Sequence, residues 1–515
     1  MMLASEGDAL DEDFSSGNWI PIAAALCSVP LFFGLETTAL IIGVVLAGCI
    51  LLLFSVFVWV KCRFPRPVQG VIGFFHPFAD GGGGGERVLW AAVQALQQSR
   101  PDLRIVIYCG EDSSAGSLSQ QASSRFNLKI QPSFHVVPLK SRNQLLPASY
   151  PRFTMVRQAA ASVCVAAQGL RIIVPSVWID TTGWAFPYPL VRMTGASVAA
   201  YVHYPTISTD MLSRVRDRAA TFNNNTDVAS SAAKSGLKLF YYQCMALLYG
   251  AVGGCANVAM VNSSWTRRHI SQLWWRRARP HLVYPPADTA ALQALPLDRR
   301  LKRVYVISVA QFRPEKDHQL QLRAFAAARA RAERLGDSSV ADAILSARLQ
   351  LVGGCRGIED EARLEELRQL AKELNLSDEI VEFRVNVPFE ELHELLGDAV
   401  AGLHSMIDEH FGISVVEYMA AGAVPIAHNS GGPREDIVLP EPRRDGCGPG
   451  QRTGFLCRTV EQYTDAIVEV VGMGQVERLE VAAAARRRAS AFSDERFKNE
   501  FIEAVGCLLP SIATP

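Results

Sequence analysis

The sequence has no excess of charge of either sign, because its 515 residues include 51 Lys and Arg and 51 Asp and Glu. A balanced charge offers no general electrostatic attraction to nucleic acid, so we expect no nucleic-acid partner. The eleven cysteines are odd in number and form neither C-x2-C pairs nor His/Cys clusters with zinc spacing. Reduced, mostly buried thiols of a cytosolic fold are the simplest interpretation.

Charged side chains are also absent from a long stretch near the N-terminus. Thr38–Val60 contains 23 residues without a charge, which is enough to span a bilayer. The chain before it is acidic and has no Lys or Arg, unlike a cleavable signal peptide. Lys61, Arg63 and Arg66 follow directly, so the positive-inside rule predicts that the following part faces the cytosol. Whether Trp19–Leu35 forms another span stays open; two spans would put both ends in the cytosol.

Paired aspartates that could hold a divalent cation are equally scarce. The only D-x-D motif, Asp11-Glu12-Asp13, precedes the predicted span and cannot reach a catalytic cleft. No metal site and no cofactor are therefore predicted. Cationic side chains and backbone amides would have to stabilise a departing anion.

A further uncharged run, Leu239–Val261, is interrupted by glycines and leads into Asn262. We interpret it as a buried helix followed by a strand, with a membrane crossing or a monotopic patch as alternatives. Trp274-Trp275-Arg276-Arg277 adds an amphipathic, basic feature that suits a membrane interface, although two tryptophans are also ordinary core residues.

The most informative segment that is present lies between Val400 and Ala427. Val400–Ser405 and Val424–Ala427 have the pattern of short buried strands, and Ile413–Ala421 that of a helix. Glu409 then lies beyond the carboxyl end of a strand, where open α/β sheets bind ligands, and Glu417 lies about a turn inside the helix. The amides of three residues at the helix start would offer donors to a phosphate; these are Phe411, Gly412 and Ile413. Two ordinary surface glutamates are the alternative.

A run of five glycines follows a second predicted strand. Val71–Phe75 is apolar, and Gly81–Gly85 separates it from a helical pattern that buries Val88, Leu89, Val93 and Leu96. Glycines allow positive φ and let the main chain approach a ligand closely, although such a run can also be a flexible loop.

Two cations follow a third strand, Val304–Val309. Arg313 and Lys316 would stand just past its carboxyl end, where a diphosphate is the natural counter-charge. Ordinary surface charges at a helix start are the alternative interpretation.

The segments together resemble one enzyme family. Glu409 and Glu417 are similar to the E-x7-E signature of retaining GT-B glycosyltransferases. Over about residues 71–501 the chain resembles the dolichol-pathway α-1,2-mannosyltransferases. This family extends a lipid-linked trimannosyl core. The segments that carry the resemblance are FFHPFADGGGGGERVLW, YVHYPTISTDML, VNSSWT, QFRPEKDH and HNSGGPREDIV.

The resemblance implies roles for individual residues. His203 would lie near the reacting mannose and Glu409 would contact its hydroxyls. Glu417 would bind the ribose. The diphosphate would lie against Arg313 and Lys316. The glycines Gly82, Gly83 and Gly84 would lie close to the donor phosphate and to the acceptor. GDP-mannose would be the donor, and a dolichol-diphosphate oligomannose at the cytosolic face of the endoplasmic reticulum would receive two successive mannoses in α-1,2 linkage.

The expected fold class is α/β, of the GT-B type, with two Rossmann-like domains facing a cleft and an N-terminal transmembrane segment. Four parts are predicted: an acidic tail and anchor at 1–67, an acceptor domain at 68–290, a GDP-mannose-binding domain at 300–485, and a C-terminal helix at 486–515 that returns toward the first domain. The alanine- and arginine-rich runs at 324–334 and 481–491 are expected to be exposed helices.

Several alternatives remain. The chain could be a GT-B enzyme that uses a UDP-sugar and a soluble acceptor, or a membrane-anchored scaffold with an inactive fold. Retention could proceed through a covalent intermediate or through same-face attack assisted by the departing phosphate; we favour same-face attack. Membrane lipid is an expected partner, and the resemblance leaves room for a complex with other mannosyltransferases of the pathway.

Overall fold

A computed structural model describes residues 35–150, 153–207, 211, 232–275, 279–298, 304–336, 338–355, 357–442 and 450–511. Four of the interpreted segments lie outside these residues in whole or in part: Asp11-Glu12-Asp13, the stretch 19–34, most of 208–212, and Arg276 with Arg277. The chain divides into two compact units, Met1–Phe64 and Pro65–Pro515.

In the first unit the described residues form one helix, α1 (Leu35–Arg63). Several of its apolar side chains are exposed, among them Leu40, Ile50, Leu52 and Phe54. Across the described ranges, no helix qualifies as long and apolar enough to cross a membrane. The transmembrane segment therefore stays a prediction.

The second unit contains two parallel sheets. The strands of the first sheet are β1 (Val68–Phe75), β2 (Arg104–Cys109), β3 (His135–Pro138), β4 (Pro175–Asp180), β5 (Ser197–Val202), β6 (Val258–Val261) and β7 (His281–Leu282). Their order is β3-β2-β1-β4-β5-β6-β7, and all pairs are parallel. The strand order reverses between β1 and β4, which makes the loops after these strands the natural place for a ligand.

The helices between these strands are α2 (Gly84–Ser99), α3 (Ala115–Phe126), α4 (Thr154–Leu170), α5 (Tyr188–Thr194), α6 (Ala232–Gly253), α7 (Ser264–Leu273) and α8 (Thr289–Gln293). The run Leu239–Val261 forms the end of α6 and all of β6, as the helix-plus-strand interpretation expects.

The second sheet has the strands β8 (Tyr305–Val309), β9 (Arg348–Gly353), β10 (Val381–Val385), β11 (Ala399–His404), β12 (Val424–His428) and β13 (Phe455–Cys457). Their order is β10-β9-β8-β11-β12-β13, again all parallel, with the reversal between β8 and β11. Its helices are α9 (His318–Leu335), α10 (Ser339–Ser346), α11 (Ile358–Glu373), α12 (Phe389–Asp398), α13 (Ile413–Ala421), α14 (Val460–Gly472) and α15 (Gln475–Ala489).

The last helix, α16 (Asp494–Gly506), packs into the core of the first sheet through Phe497 and Phe501. The Arg87 guanidinium of α2 donates hydrogen bonds to both carboxylate oxygens of Asp494 in α16, at 2.9 and 3.0 Å. A chain segment that follows the second sheet thus stabilises the first.

The alanine-rich runs are not exposed faces, so that expectation was wrong. Ala324, Ala328 and Ala332 of α9 are buried, and so are Ala482 and Ala485 of α15. Small side chains let a helix lie close against the sheet or a neighbouring helix, while other positions of the first run, such as Ala330 and Arg334, are exposed. High helix propensity indicated the helices correctly but not the direction that they face.

Candidate functional site

The switch point of the second sheet brings together the two loops that the sequence singled out. β8 and β11 are neighbours and run parallel, so the loops that follow them leave the same edge side by side. Arg313–Lys316 follows β8 and Glu409 follows β11. Ser405 joins the loops, because its hydroxyl donates to the carbonyl of Lys316 at 2.6 Å.

Lys316 and Glu409 form an ion pair at this edge. Lys316 Nζ lies 2.5 Å from Glu409 Oε2, and His404 Nε2 lies 3.1 Å from the same oxygen. Burial alone would raise the pKa of the Glu409 carboxyl, but Lys316 and the hydrogen bond from His404 outweigh it and hold that pKa well below its usual range. Glu409 is therefore a carboxylate at every physiological pH.

The next residues turn into the start of α13. Gly412 has φ of 109°, a left-handed conformation that favours glycine, and no side chain caps the first turn in the described part of the chain. The uncompensated amides of this turn carry partial positive charge. The helix start predicted around Phe411, Gly412 and Ile413 is thus confirmed, since α13 begins at Ile413 with Gly412 as its N-cap.

A glycine pair from another loop supports this turn. The amide of Gly432 donates to the carbonyl of Glu409 at 2.8 Å, and the amide of Asp408 donates to Ser430 Oγ at 2.7 Å. A methyl group at Gly431 would lie 2.2 Å from the Glu409 carbonyl oxygen. This contact explains why the segment HNSGGP needs glycine: any side chain would push the Glu409 loop away.

Glu417 lies one turn into α13 and is partly buried. Burial raises its pKa to about 7, and Arg87 only partly offsets this. The two carboxyl groups of the motif therefore differ: Glu409 is fixed as an anion, whereas Glu417 titrates near neutral pH.

The glycine run lies at the opposite side, before α2. Glu86 Oε2 accepts the amide of Gly83 at 2.5 Å, so the start of α2 is already capped by its own chain. None of the residues of Gly81–Gly85 has positive φ, so the run does not use the left-handed conformation that glycine allows. It uses close approach: a methyl group at Gly84 would lie 3.0 Å from Ile413 Cδ1, and one at Gly82 would lie 2.9 Å from the Arg125 guanidinium.

His203 follows β5 and faces the same loop. A methyl group at Gly85 would lie 3.6 Å from His203 Nε2. This Nε2 lies 3.0 Å from the carbonyl oxygen of Thr181, which can only accept, so Nε2 carries the proton and Nδ1 the lone pair. Burial, reinforced by His76, lowers the pKa of His203 to about 4. His203 is thus neutral near pH 7.

His76 and Glu86 form a second pair behind the glycine run. His76 Nδ1 lies 2.8 Å from Thr181 Oγ1, and Nε2 lies 3.4 Å from Glu86 Oε1. Burial would raise the pKa of Glu86, but the hydrogen bond and charge of His76 outweigh it and lower the pKa to about 2. This ionised cap holds the glycine run in place.

The two halves of the site meet across the cleft. The Tyr204 ring stacks on the His410 ring, with centroids 4.9 Å apart and an interplanar angle of 19°. Asp436, which follows β12, accepts hydrogen bonds from the Ser264 amide at 2.8 Å and from the Tyr284 hydroxyl at 2.8 Å. Tyr204 directly follows His203, and His410 directly follows Glu409. The Tyr204–His410 stack therefore joins two chain segments whose members His203 and Glu409 are 206 positions apart in the sequence.

Arg313 stands three residues before Lys316 in the loop that follows β8. It lines a cavity of about 210 Å³ together with His318 and Arg363. Burial lowers the pKa of His318 to about 4, with Lys316 adding to the effect. Among the described residues, no group of three or more His, Cys, Asp or Glu side chains could hold a metal ion.

Sequence reasoning missed His404, His76, Glu86 and the Tyr204–His410 pair. His404 had a weak signal, since it ends the apolar strand β11 immediately before the Glu409 loop. His76, Glu86 and Tyr204 stand in segments that carry the family resemblance, but a single residue has no spacing that marks a partner far along the chain.

Solved structures with this arrangement define the class. Sucrose-phosphate synthase from Thermosynechococcus elongatus matches 86% of this chain and 99% of its own, with a TM-score of 0.59 and 17% identity. An alpha,alpha-trehalose 6-phosphate synthase from Burkholderia multivorans matches 86% of this chain and 99% of its own, with a TM-score of 0.59 and 12% identity. Identities this low show the fold alone. The two parallel-sheet domains resemble those of GT-B glycosyltransferases.

Sequence comparison places the chain within that class. "ALG11 mannosyltransferase N-terminus" matches residues 69–274 and "Glycosyl transferases group 1" matches residues 296–486. A Xenopus laevis protein named GDP-Man:Man(3)GlcNAc(2)-PP-Dol alpha-1,2-mannosyltransferase is 43% identical over 84% of this chain and 86% of its own length. The Homo sapiens protein of the same name is 42% identical over 85% of this chain and 87% of its own length. The chain belongs to this family of alpha-1,2-mannosyltransferases, and the resemblance seen in the sequence is confirmed.

Proposed function

We propose that this protein transfers mannose from GDP-mannose, in α-1,2 linkage and with retention, to a dolichol-diphosphate-linked trimannosyl oligosaccharide, and that it adds two mannoses in succession. The relatives named for this reaction are about 40% identical to the chain over most of its length. The single observation that carries the proposal is the site itself, where the Lys316–Glu409 ion pair faces the uncapped start of α13.

The donor has a complementary group for each feature of the second sheet. The diphosphate fits the amides of Phe411, Gly412 and Ile413 together with Lys316 and Arg313. Lys316 must then share its ammonium between Glu409 and a phosphate oxygen. Glu417 accepts hydrogen bonds from the ribose hydroxyls, and Glu409 from the mannose hydroxyls.

The two glycine-bearing helix starts differ in the role that they suit. The start of α2 is occupied by Glu86, whereas that of α13 has no side-chain cap. An incoming phosphate at α2 would have to displace a carboxylate; at α13 it would displace none. The backbone of Gly82, Gly83 and Gly84 accordingly lies close to the donor phosphate and to the acceptor and contributes no charged side chain.

His203 takes part as a neutral group. With its proton on Nε2, the ring offers the Nδ1 lone pair to a hydroxyl of the reacting mannose. A pKa of about 4 makes the neutral ring a weak base near pH 7, so the departing phosphate is the better acceptor for the proton of the attacking hydroxyl. This chemistry favours same-face attack, with charge stabilised by Lys316, Arg313 and backbone amides rather than by a metal.

The lipid acceptor requires a membrane surface. We propose that Thr38–Val60, within α1, anchors the protein in the endoplasmic reticulum membrane, with the catalytic unit on the cytosolic side. The charge-free sequence, the acidic residues before it and the basic residues after it support this orientation. Association with other mannosyltransferases of the pathway is compatible with that location.

One transfer assay separates this function from its alternatives. Purified protein is incubated with radiolabelled GDP-mannose, UDP-glucose or UDP-N-acetylglucosamine and with the lipid-linked trimannosyl acceptor, and lipid-extractable label is counted. We expect label from GDP-mannose alone, removed by an α-1,2-specific mannosidase. Label from a UDP-sugar would indicate another GT-B enzyme, and no label from any donor, with the human relative active in parallel, would indicate a scaffold.

A further inference from the structure

Tyr204 presents one face of its ring to solvent at the cleft. The other face is stacked on His410, at 4.9 Å and 19°. Tyr204 is 56% exposed, although it follows the half-buried His203 and precedes the buried Pro205. A large aromatic ring that is stacked on one side and exposed over more than half of its surface is an unusual feature of a protein surface.

His410 supports the Tyr204 ring from behind. It also lies against Trp265, with ring centroids 5.3 Å apart, and Trp265 packs on His269 at 4.1 Å. The His410 ring is thus held from two sides and cannot turn away from Tyr204 without losing the contact with Trp265. The open face of Tyr204 is therefore a rigid, flat and apolar platform.

The neighbours of this platform are the residues on which transfer depends. Tyr204 directly follows His203, and His410 directly follows Glu409. Both of those residues are assigned above to the reacting mannose. The platform is thus built from the residues next to the two that are assigned to the reacting mannose.

Resting on the proposed function, we propose that the open face of Tyr204 binds a pyranose ring of the acceptor oligosaccharide. The carbon-bound hydrogens on one side of a pyranose form an apolar surface, which loses contact with water when it packs on an aromatic ring. The position of the platform suits a mannose of the acceptor next to the one that is attacked.

The donor does not compete for this surface. Lys316, the start of α13 and Glu417, the charged and hydrogen-bonding groups assigned above to the diphosphate and the ribose, come from the second sheet, whereas Tyr204 follows a strand of the first. A neutral ring backed by a histidine whose pKa burial lowers offers no attraction to a diphosphate. The platform therefore fits the uncharged sugars of the acceptor.

The test compares Tyr204→Ala with Tyr204→Phe in the full-length protein, with Phe240→Ala as a matched control for loss of an exposed ring. Phe240 is 62% exposed and lies in α6, outside the site. The measurements are KM for a water-soluble short-chain analogue of the lipid-linked trimannosyl acceptor, KM for GDP-mannose, kcat, and the Kd of GDP by calorimetry.

We expect Tyr204→Ala to raise the acceptor KM about tenfold or more, as truncation of a central aromatic contact does. The Kd of GDP and the KM for GDP-mannose should stay within about twofold, and Tyr204→Phe and Phe240→Ala should match the unaltered protein. An unchanged acceptor KM in Tyr204→Ala overturns the inference. An equal loss of GDP affinity also overturns it, because the stack would then only hold the two domains together. Absence of transfer by the unaltered protein would instead refute the proposed function.

Discussion

Lys316 Nζ lies 2.5 Å from Glu409 Oε2, although the two residues belong to different loops, one after β8 and the other after β11. Their side chains are 23% and 14% exposed, so water screens the pair only partly. In the absence of donor, each group neutralises the other. In the proposed complex, donor binding replaces part of this interaction. A phosphate oxygen then pairs with the Lys316 ammonium, and the mannose hydroxyls donate hydrogen bonds to the Glu409 carboxylate.

Replacement of Lys316 by Met removes the cation for both partners. We expect kcat/KM for GDP-mannose to fall by about 10²- to 10³-fold, comparable to the loss of one preorganised charge-stabilising group. The free energy of unfolding should also fall, by up to about 3 kcal/mol, because a mostly buried carboxylate loses its counter-ion. Steady-state kinetics and urea unfolding measure both effects. Lys316→Arg keeps the charge and is the matched control. If the Met variant is as active as the Arg variant and the unaltered protein, the charge is dispensable.

The two carboxyl groups of the motif should differ in their kinetic effects. Glu409→Gln should mainly lower kcat, by roughly 10² to 10³-fold, because the charge distribution of mannose changes in the transition state. Glu417→Gln should mainly raise KM for GDP-mannose, because the ribose does not react and its binding is weakened equally in both states. Kinetics on folded single variants decide the matter. If both show the same pure KM defect, this division of roles fails.

The raised pKa of Glu417 predicts a pH dependence of donor binding. Burial places this pKa at about 7, above the ordinary 4.5, so the carboxyl is protonated in mildly acidic solution. If the ribose hydroxyls need the ionised form, KM for GDP-mannose falls as the pH rises from about 6 to about 8. Glu417→Gln should remove most of this trend. An identical KM profile in that variant would assign the titration to another group.

Stability should change with pH in the opposite sense. For a carboxyl whose folded pKa is raised, the stabilising contribution is fully present below its unfolded pKa of about 4.5 and is lost as the pH rises through about 7. Glu417→Gln should therefore gain stability relative to the unaltered protein between those values. Thermal unfolding of both proteins across this range, without nucleotide, measures the difference.

Chelation should leave transfer intact, since the proposed mechanism stabilises the diphosphate with cationic side chains and amides. Activity is measured with and without EDTA while the lipid acceptor is kept dispersed in detergent. Loss of activity that added Mg²⁺ or Mn²⁺ restores would contradict the metal-independent mechanism.

Sidedness is testable in sealed microsomes. The acidic flank before the charge-free segment and the basic flank after it predict a cytosolic catalytic unit. Protease added without detergent should digest the unit, while a lumenal marker stays intact. Full protection of the unit until detergent is added would exclude this topology.

Local patterns in the sequence were enough to identify most of the elements. The helix Ile413–Ala421 was predicted with the bounds that the structure has, because a left-handed Gly412 and Gly422 mark its two ends. The apolar run Ile172–Val177, in contrast, does not form one strand, since α4 ends at Leu170 and β4 begins only at Pro175. Val174 and its neighbours are as apolar as a strand, and an apolar run does not reveal where a preceding helix ends.

What the sequence determined by itself were the elements, the family and the two carboxylates of the motif, because each depends on residues close together in the chain. The tertiary structure alone decided which groups meet. Strand order brings Lys316 to Glu409 across 93 positions, and packing of the two sheets brings Tyr204 to His410. Burial then separates two chemically identical glutamates, one fixed as an anion and the other with a pKa of about 7. Such differences arise from solvent exclusion and from neighbouring charges, which only the folded chain supplies.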